Sequence, residues 1–119
     1  MTRNTGPSQR VREIVKARDN NRCVVCGKYG ENQFHHRQPR KMGGTRRPGI
    51  NLPSNLLTLC VICHQYAEAH RTTSYRLGLL VREPSIPSGV PVLLLAHGWV
   101  LLDDDGLFVP TTPPTEGAA

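Results

Sequence analysis

The chain has 119 residues, 38% of them hydrophobic, 5% aromatic and 20% charged, which suffices for one small core and excludes a two-domain enzyme. No apolar run approaches the roughly 20 residues of a membrane-spanning helix, and the opening MTRNTGPSQR lacks the apolar stretch of a secretory signal, so a cytoplasmic, non-membrane protein is expected. The net charge of +6 hides an asymmetry: residues 1–82 hold all 15 Lys and Arg against four acids (+11), whereas residues 83–119 hold five acids and no base (−5), a polarity suited to a polyanionic partner.

In chain order, Ser8 is placed to cap a helix whose stripe of Val11, Ile14 and Val15 runs to about Arg18 and ends at Asn20-Asn21. Residues 23–30 read as a tight knuckle turning on Gly27 and Gly30, and residues 32–36 as a short extended segment. The loop that follows holds Pro39, Gly43, Gly44, Pro48, Gly49 and Pro53, which exclude helix and central strand. It also holds Arg37, Arg40, Lys41, Arg46 and Arg47, with no acid between Glu31 and Glu68, the density expected of a phosphate-contacting, DNA-binding surface; a solvated loop is the plainer alternative. Residues 55–59 are apolar and extended, residues 61–71 predict a helix, and a second helix is expected over 74–80 with Thr72 or Thr73 as its cap. After a Pro-rich linker, strands are predicted at 92–95, 99–102 and 107–109, with Asp103-Asp104-Asp105-Gly106 as turn chemistry. The expected organisation is a single α+β domain over 1–110, with its core motif at 20–75, C-terminal strands within 91–109 forming a short hairpin or meander, and a disordered tail at 111–119.

Two C-x-x-C pairs, Cys23/Cys26 and Cys60/Cys63, each put two thiolates within reach of one tetrahedral ion. In a reducing compartment this favours a structural four-cysteine zinc site over disulfides or a redox pair, and such an ion clips the basic loop at both ends. Between and beside the pairs lie His35, His36, Asn55 and His64. An isolated histidine pair is commonly idle, but neutral imidazoles are the usual ligands and bases at pH 7, and three of them with Asn55 around one clipped insert point to catalysis.

The string His35-His36-Arg37-Gln-Pro-Arg-Lys-Met-Gly-Gly followed by Asn55-Leu-Leu-Thr-Leu-Cys60-Val-Ile-Cys63-His64 resembles the HNH endonucleases, particularly small phage-encoded members with a four-cysteine zinc site. The resemblance covers about residues 20–75 and implies a zinc-stabilised ββα-metal fold: two strands joined by a long loop and packed on a helix, with one catalytic divalent cation. Carried over by position, it makes His36 the general base, Asn55 the residue that braces the loop and orients that base, and His64 a metal ligand. His35 stands where many members have an aspartate ligand, and among the candidate cations Mg2+, Mn2+, Ni2+ and Zn2+ a neutral donor there counts against hard Mg2+ and leaves the other three open. Glu68, one turn after His64 on the same face, is a further candidate ligand, while His70 falls on another face. The implied activity is hydrolysis of DNA phosphodiester bonds, as endonuclease or nickase, in the cytoplasm of a phage's host and beside packaging proteins such as the terminase. A non-catalytic zinc-stabilised DNA-binding module is the alternative, and it needs the cysteines and the basic loop but not the histidines; a zinc-bound protein-interaction domain leaves the basic half unused.

Overall fold

A computed structural model describes residues 6–39 and 49–114. Ser8 opens helix α1 (Gln9–Arg18) by accepting a hydrogen bond from Val11 N at 3.2 Å, and Lys16 and Arg18 in the last turn oppose the negative end of the helix dipole. Asn20 and Asn21 then adopt φ of 55° and 52°, the left-handed region that asparagine tolerates best after glycine, and the helix stops. The expected knuckle follows: Cys23 N donates to Lys28 O at 2.9 Å, Gly27 N to Cys23 O at 2.8 Å, and Arg22 bridges to Tyr29.

Strand β1 (Gln33–His36) pairs antiparallel with β2 (Leu56–Leu59), Gln33 opposite Leu59 and His36 opposite Leu56, and helix α2 (Val61–Ala69) packs on both strands. Together they form a ββα unit within an α+β molecule. All four residues of β2 are buried, because α1 covers the side that α2 leaves open. There the Arg18 guanidinium donates to Pro53 O at 2.8 Å and Leu56 O at 2.6 Å, and Asp19, paired with Arg18 at 2.8 Å, accepts from Thr58 N. A helical end thereby satisfies backbone groups of β2 and of the turn that leads into it, which otherwise are costly to bury.

Helix α3 (Arg71–Leu77) lies three residues earlier than expected, and α2 ends two residues short of 71. His70, at φ −116° and ψ 68°, closes α2 and opens α3 at once, so Thr72 and Thr73 are exposed helical residues rather than caps. Ser74 is fully buried and its hydroxyl donates toward Ala67 O and His70 O, locking the two helices together. Gly78 ends α3 at φ 79°; a Cβ there would lie 2.0 Å from Pro91 O, so only glycine lets the C-terminal segment approach so closely.

That segment forms a second antiparallel sheet in the order β3 (Val92–Leu94), β4 (Gly98–Leu102), β5 (Phe108–Pro110). Asp103 serves as the expected turn residue, its carboxylate accepting from Asp105 N and Leu107 N at 2.8 and 2.9 Å, while Asp104 accepts from Ser54 N. Residue 111, expected to be disordered, extends the ladder instead, with Thr111 N donating to Trp99 O at 3.0 Å; residues 115–119 of the expected tail lie outside the described residues. One core spans both sheets: Leu57 and Leu59 from β2, Ala67 from α2, and Val92, Leu94, Val100 and Leu102 from β3 and β4.

Candidate functional site

Among the described residues, side chains that could hold a metal ion converge in two groups. The first is Cys23, Cys26, Cys60 and Cys63, whose sulfurs all lie within 4.8 Å of one another. The knuckle supplies one pair and the first turn of α2 the other, Cys60 capping that helix by accepting from Cys63 N at 3.4 Å. A tetrahedral Zn2+ with Zn–S bonds of about 2.3 Å separates its sulfurs by about 3.8 Å; the Cys26 and Cys60 sulfurs are 3.7 Å apart. Burial opposes ionisation of Cys23, but backbone N–H groups of Cys60, Cys26 and Val25 outweigh it and bring its thiol down to about 7. Cys63 moves the other way, pushed up by burial and by its neighbouring thiols. One thiolate forms readily at Cys23, while burial and neighbouring thiols hold back Cys26 and Cys63, and a divalent cation would neutralise the charge of such a set. These four cysteines can hold a structural zinc.

The second group is His35, His64 and Glu68, again with donor atoms within 4.8 Å. His35 comes from the middle of β1 and is buried; its Nε2 lies 2.7 Å from Leu79 O, and because a carbonyl only accepts, Nε2 carries the proton. Nδ1 is left as a bare lone pair, buried and without a hydrogen-bond partner, and it points at Glu68 Oε1, 3.8 Å away. Burial also pulls the His35 pKa down to about 4, so the ring is neutral at physiological pH. His64 arrives from α2 with Nδ1 at 2.6 Å from Gln33 Oε1, which leaves its Nε2 directed at the same Glu68 oxygen at 3.7 Å. Two imidazoles, each with its outer nitrogen held by an oxygen acceptor and its inner nitrogen turned to the same point, are the arrangement in which histidine ligates metal. Glu68 and His64 share this point because they are four residues apart on one helix. His70, on another face, instead stacks on Tyr66 at 4.0 Å between ring centroids.

Successive strand residues face opposite ways, so His36 does not join that cluster. It is half-buried, with Nε2 at 2.8 Å from Asn51 Oδ1. Asn55 is buried and ties the two ends of the long loop: its Oδ1 accepts from Gln38 N at 2.7 Å and its Nδ2 donates to Ile50 O at 2.8 Å and Gln38 O at 3.3 Å. Asn55 thus touches the loop backbone, while the ring partner of His36 is Asn51. Gln33 and Asn51 escaped the sequence reading. Gln33 was findable, being two residues before His35 and hence on the same face of the strand, whereas nothing in the sequence marks Asn51.

The expectation for Arg37 is corrected. It is 0% exposed, and its guanidinium donates to Gly78 O (2.8 Å), Ser54 O (2.9 Å), Pro87 O (3.0 Å) and Val90 O (2.7 Å), so it offers nothing to a phosphate. Burial and nearby Arg18 lower its pKa to about 9, which still leaves it charged at neutral pH. Arg40, Lys41, Arg46 and Arg47 lie outside the described residues.

A ββα unit carrying a histidine–histidine–glutamate cluster and a four-thiol cluster is a candidate metal-binding domain. Residues 23–69 match the family model described as HNH endonuclease, a span that contains β1, β2, α2 and both clusters. Over that span the chain is similar to the HNH endonucleases. No curated protein and no solved structure gives a significant match.

Proposed function

We propose that the protein is a metal-dependent DNA endonuclease or nickase. The observation that carries this reading is the buried, unpartnered Nδ1 of His35 aimed at the point where His64 Nε2 and Glu68 Oε1 also meet, a donor set that fits a divalent cation. His35, His64 and Glu68 would hold that cation, Mg2+, Mn2+, Ni2+ or Zn2+; when bound, it supplies positive charge to the phosphate oxygens and the departing 3′ oxygen. His36 is the general base. Asn51 Oδ1 accepts from its Nε2–H, so the imidazole is fixed in the tautomer whose Nδ1 takes the proton from an attacking water. Asn55 keeps the loop ends together and so fixes where Asn51 stands relative to β1. The sequence resemblance and the acidic C-terminal third support a phage-encoded nuclease acting in the host cytoplasm beside packaging proteins such as the terminase.

The test is plasmid cleavage by the zinc-loaded protein across the four cations. General-base assistance contributes roughly 10²- to 10⁴-fold, so His36→Ala is expected to lose about that much rate while zinc content and melting temperature stay at the wild-type level. Cleavage by His36→Ala at the wild-type rate removes the base assignment, and a wild type that binds DNA but cleaves with none of the cations favours the non-catalytic DNA-binding module.

A further inference from the structure

Helix α3 and the segment after it carry Arg71, Arg76 and Arg82, all exposed, and Tyr75 stands between two of them. The Arg82 guanidinium carbon lies 3.8 Å from the centroid of the Tyr75 ring, and that of Arg71 lies 5.7 Å from it. Arg71 also donates to the Tyr75 hydroxyl at 3.1 Å and reaches back to Glu68 Oε2 at 3.5 Å, the carboxylate whose other oxygen faces His35 and His64. An unbroken line of contacts therefore runs from the candidate metal centre through Arg71 and Tyr75 to Arg82. Beside it opens a groove of about 360 Å³ lined by Gln38, Pro39, Tyr75, Val81, Arg82 and Glu83, and Gln38 is two residues from His36. The line thus links the two sides of the site.

The Arg82 guanidinium, lying over the Tyr75 ring, has its face occupied and its edge of N–H donors left for a ligand, while Arg71 is held beside the same ring by its bonds to the Tyr75 hydroxyl and Glu68. Such an edge pairs in plane with the two oxygens of a phosphate, and a tyrosine that restrains two guanidiniums lowers the side-chain entropy lost when both engage. Among the described residues, Arg82 and Arg76 pair with no carboxylate, and Arg71 meets only Glu68, which the metal reading assigns to the cation. We propose that Arg71 and Arg82, spaced by Tyr75, form a track for the phosphate backbone of the DNA strand beside the candidate metal centre. This rests on the nuclease reading above and names the surface through which that site meets its substrate.

The experiment is fluorescence anisotropy of a labelled 20-base-pair duplex of arbitrary sequence, titrated with zinc-loaded protein at several salt concentrations and no added divalent cation. Arg71→Gln/Arg82→Gln is compared with Arg12→Gln/Lys16→Gln, an equal loss of exposed charge on α1. Each phosphate contact contributes about −0.9 to the slope of log affinity against log salt, so the track pair is expected to bind about tenfold or more weakly and to flatten the slope by nearly two units, with a much smaller change for the α1 pair. Arg82→Lys, which keeps the charge but not the planar contact with Tyr75, should retain the slope and lose part of the affinity. An unchanged track pair in a protein whose wild type binds DNA overturns the track alone, as does an equal effect of the α1 pair. A wild type that does not bind the duplex at all overturns both the track and the nuclease reading.

Discussion

At the candidate metal centre, the chemistry of each histidine is set by the atom behind it. Leu79 O holds Nε2 of His35 and Gln33 Oε1 holds Nδ1 of His64, so opposite nitrogens of the two rings face the same point. The first acceptor is main chain and survives any substitution at 79, but the second is a side chain on an exposed strand position and can be removed alone. Loss of a ligand's outer hydrogen bond typically costs 10- to 100-fold in metal affinity. Gln33→Ala is therefore expected to weaken Mn2+ or Ni2+ binding to the zinc-loaded protein by about that factor, read by isothermal titration, with Gln33→Glu retaining most of it. Binding equal to wild type in Gln33→Ala would show that the His64 ring is oriented by α2 alone.

At the scale of elements, α2 has two tasks: its first turn closes the thiol cluster, and its middle presents His64 and Glu68. Cys60 belongs to both the cluster and the helix cap, and zinc binding in small domains contributes on the order of 10 kcal/mol to folding. Cys60→Ser should accordingly lose zinc and tertiary structure together, seen as absent metal by elemental analysis and a collapsed near-UV spectrum; a metal-free variant with a wild-type spectrum would mean the cluster does not hold the fold. Local elements were legible where local chemistry decides them. Ser8 with the stripe behind it specified α1, the glycines of the knuckle specified its turns, and the short apolar runs of 92–109 with their Asp103-to-Gly106 turn specified three strands. The errors came where tertiary contact decides. The start of α3 depends on buried Ser74 bonding back to Ala67, and its end on the approach of Pro91 to Gly78, neither of which has a signal within the helix. At the site, residue types and spacing marked His35, His64 and Glu68, but the partition of His35 and His36 to opposite faces, and the contact of His36 with Asn51, depend on pairing across the loop.

For the molecule as a whole, Arg37 is the instructive residue. Within a basic run it reads as surface, yet four carbonyls from residues 54, 78, 87 and 90 enclose its guanidinium, and its own carbonyl accepts from Val81 N at 2.9 Å. A cation immediately after the strand of the candidate site is thus neutralised by dipoles from the far end of the chain. The boundaries of the family match, 23–69, consequently do not coincide with what can be cut out and still stand. A fragment ending at residue 82 leaves Arg37 without the Pro87 and Val90 carbonyls and Val24 without its bond from Leu95 N. Each buried polar group so stranded costs about 1–3 kcal/mol against a total stability of about 5–15 kcal/mol. With zinc present, residues 1–82 should show no cooperative melting transition, whereas a sharp one would make the C-terminal sheet dispensable. The acidic third of the chain is on this account an internal chaperone for the basic two-thirds, and a minimal domain excised at residue 82 has to bring its own replacement for two carbonyl oxygens.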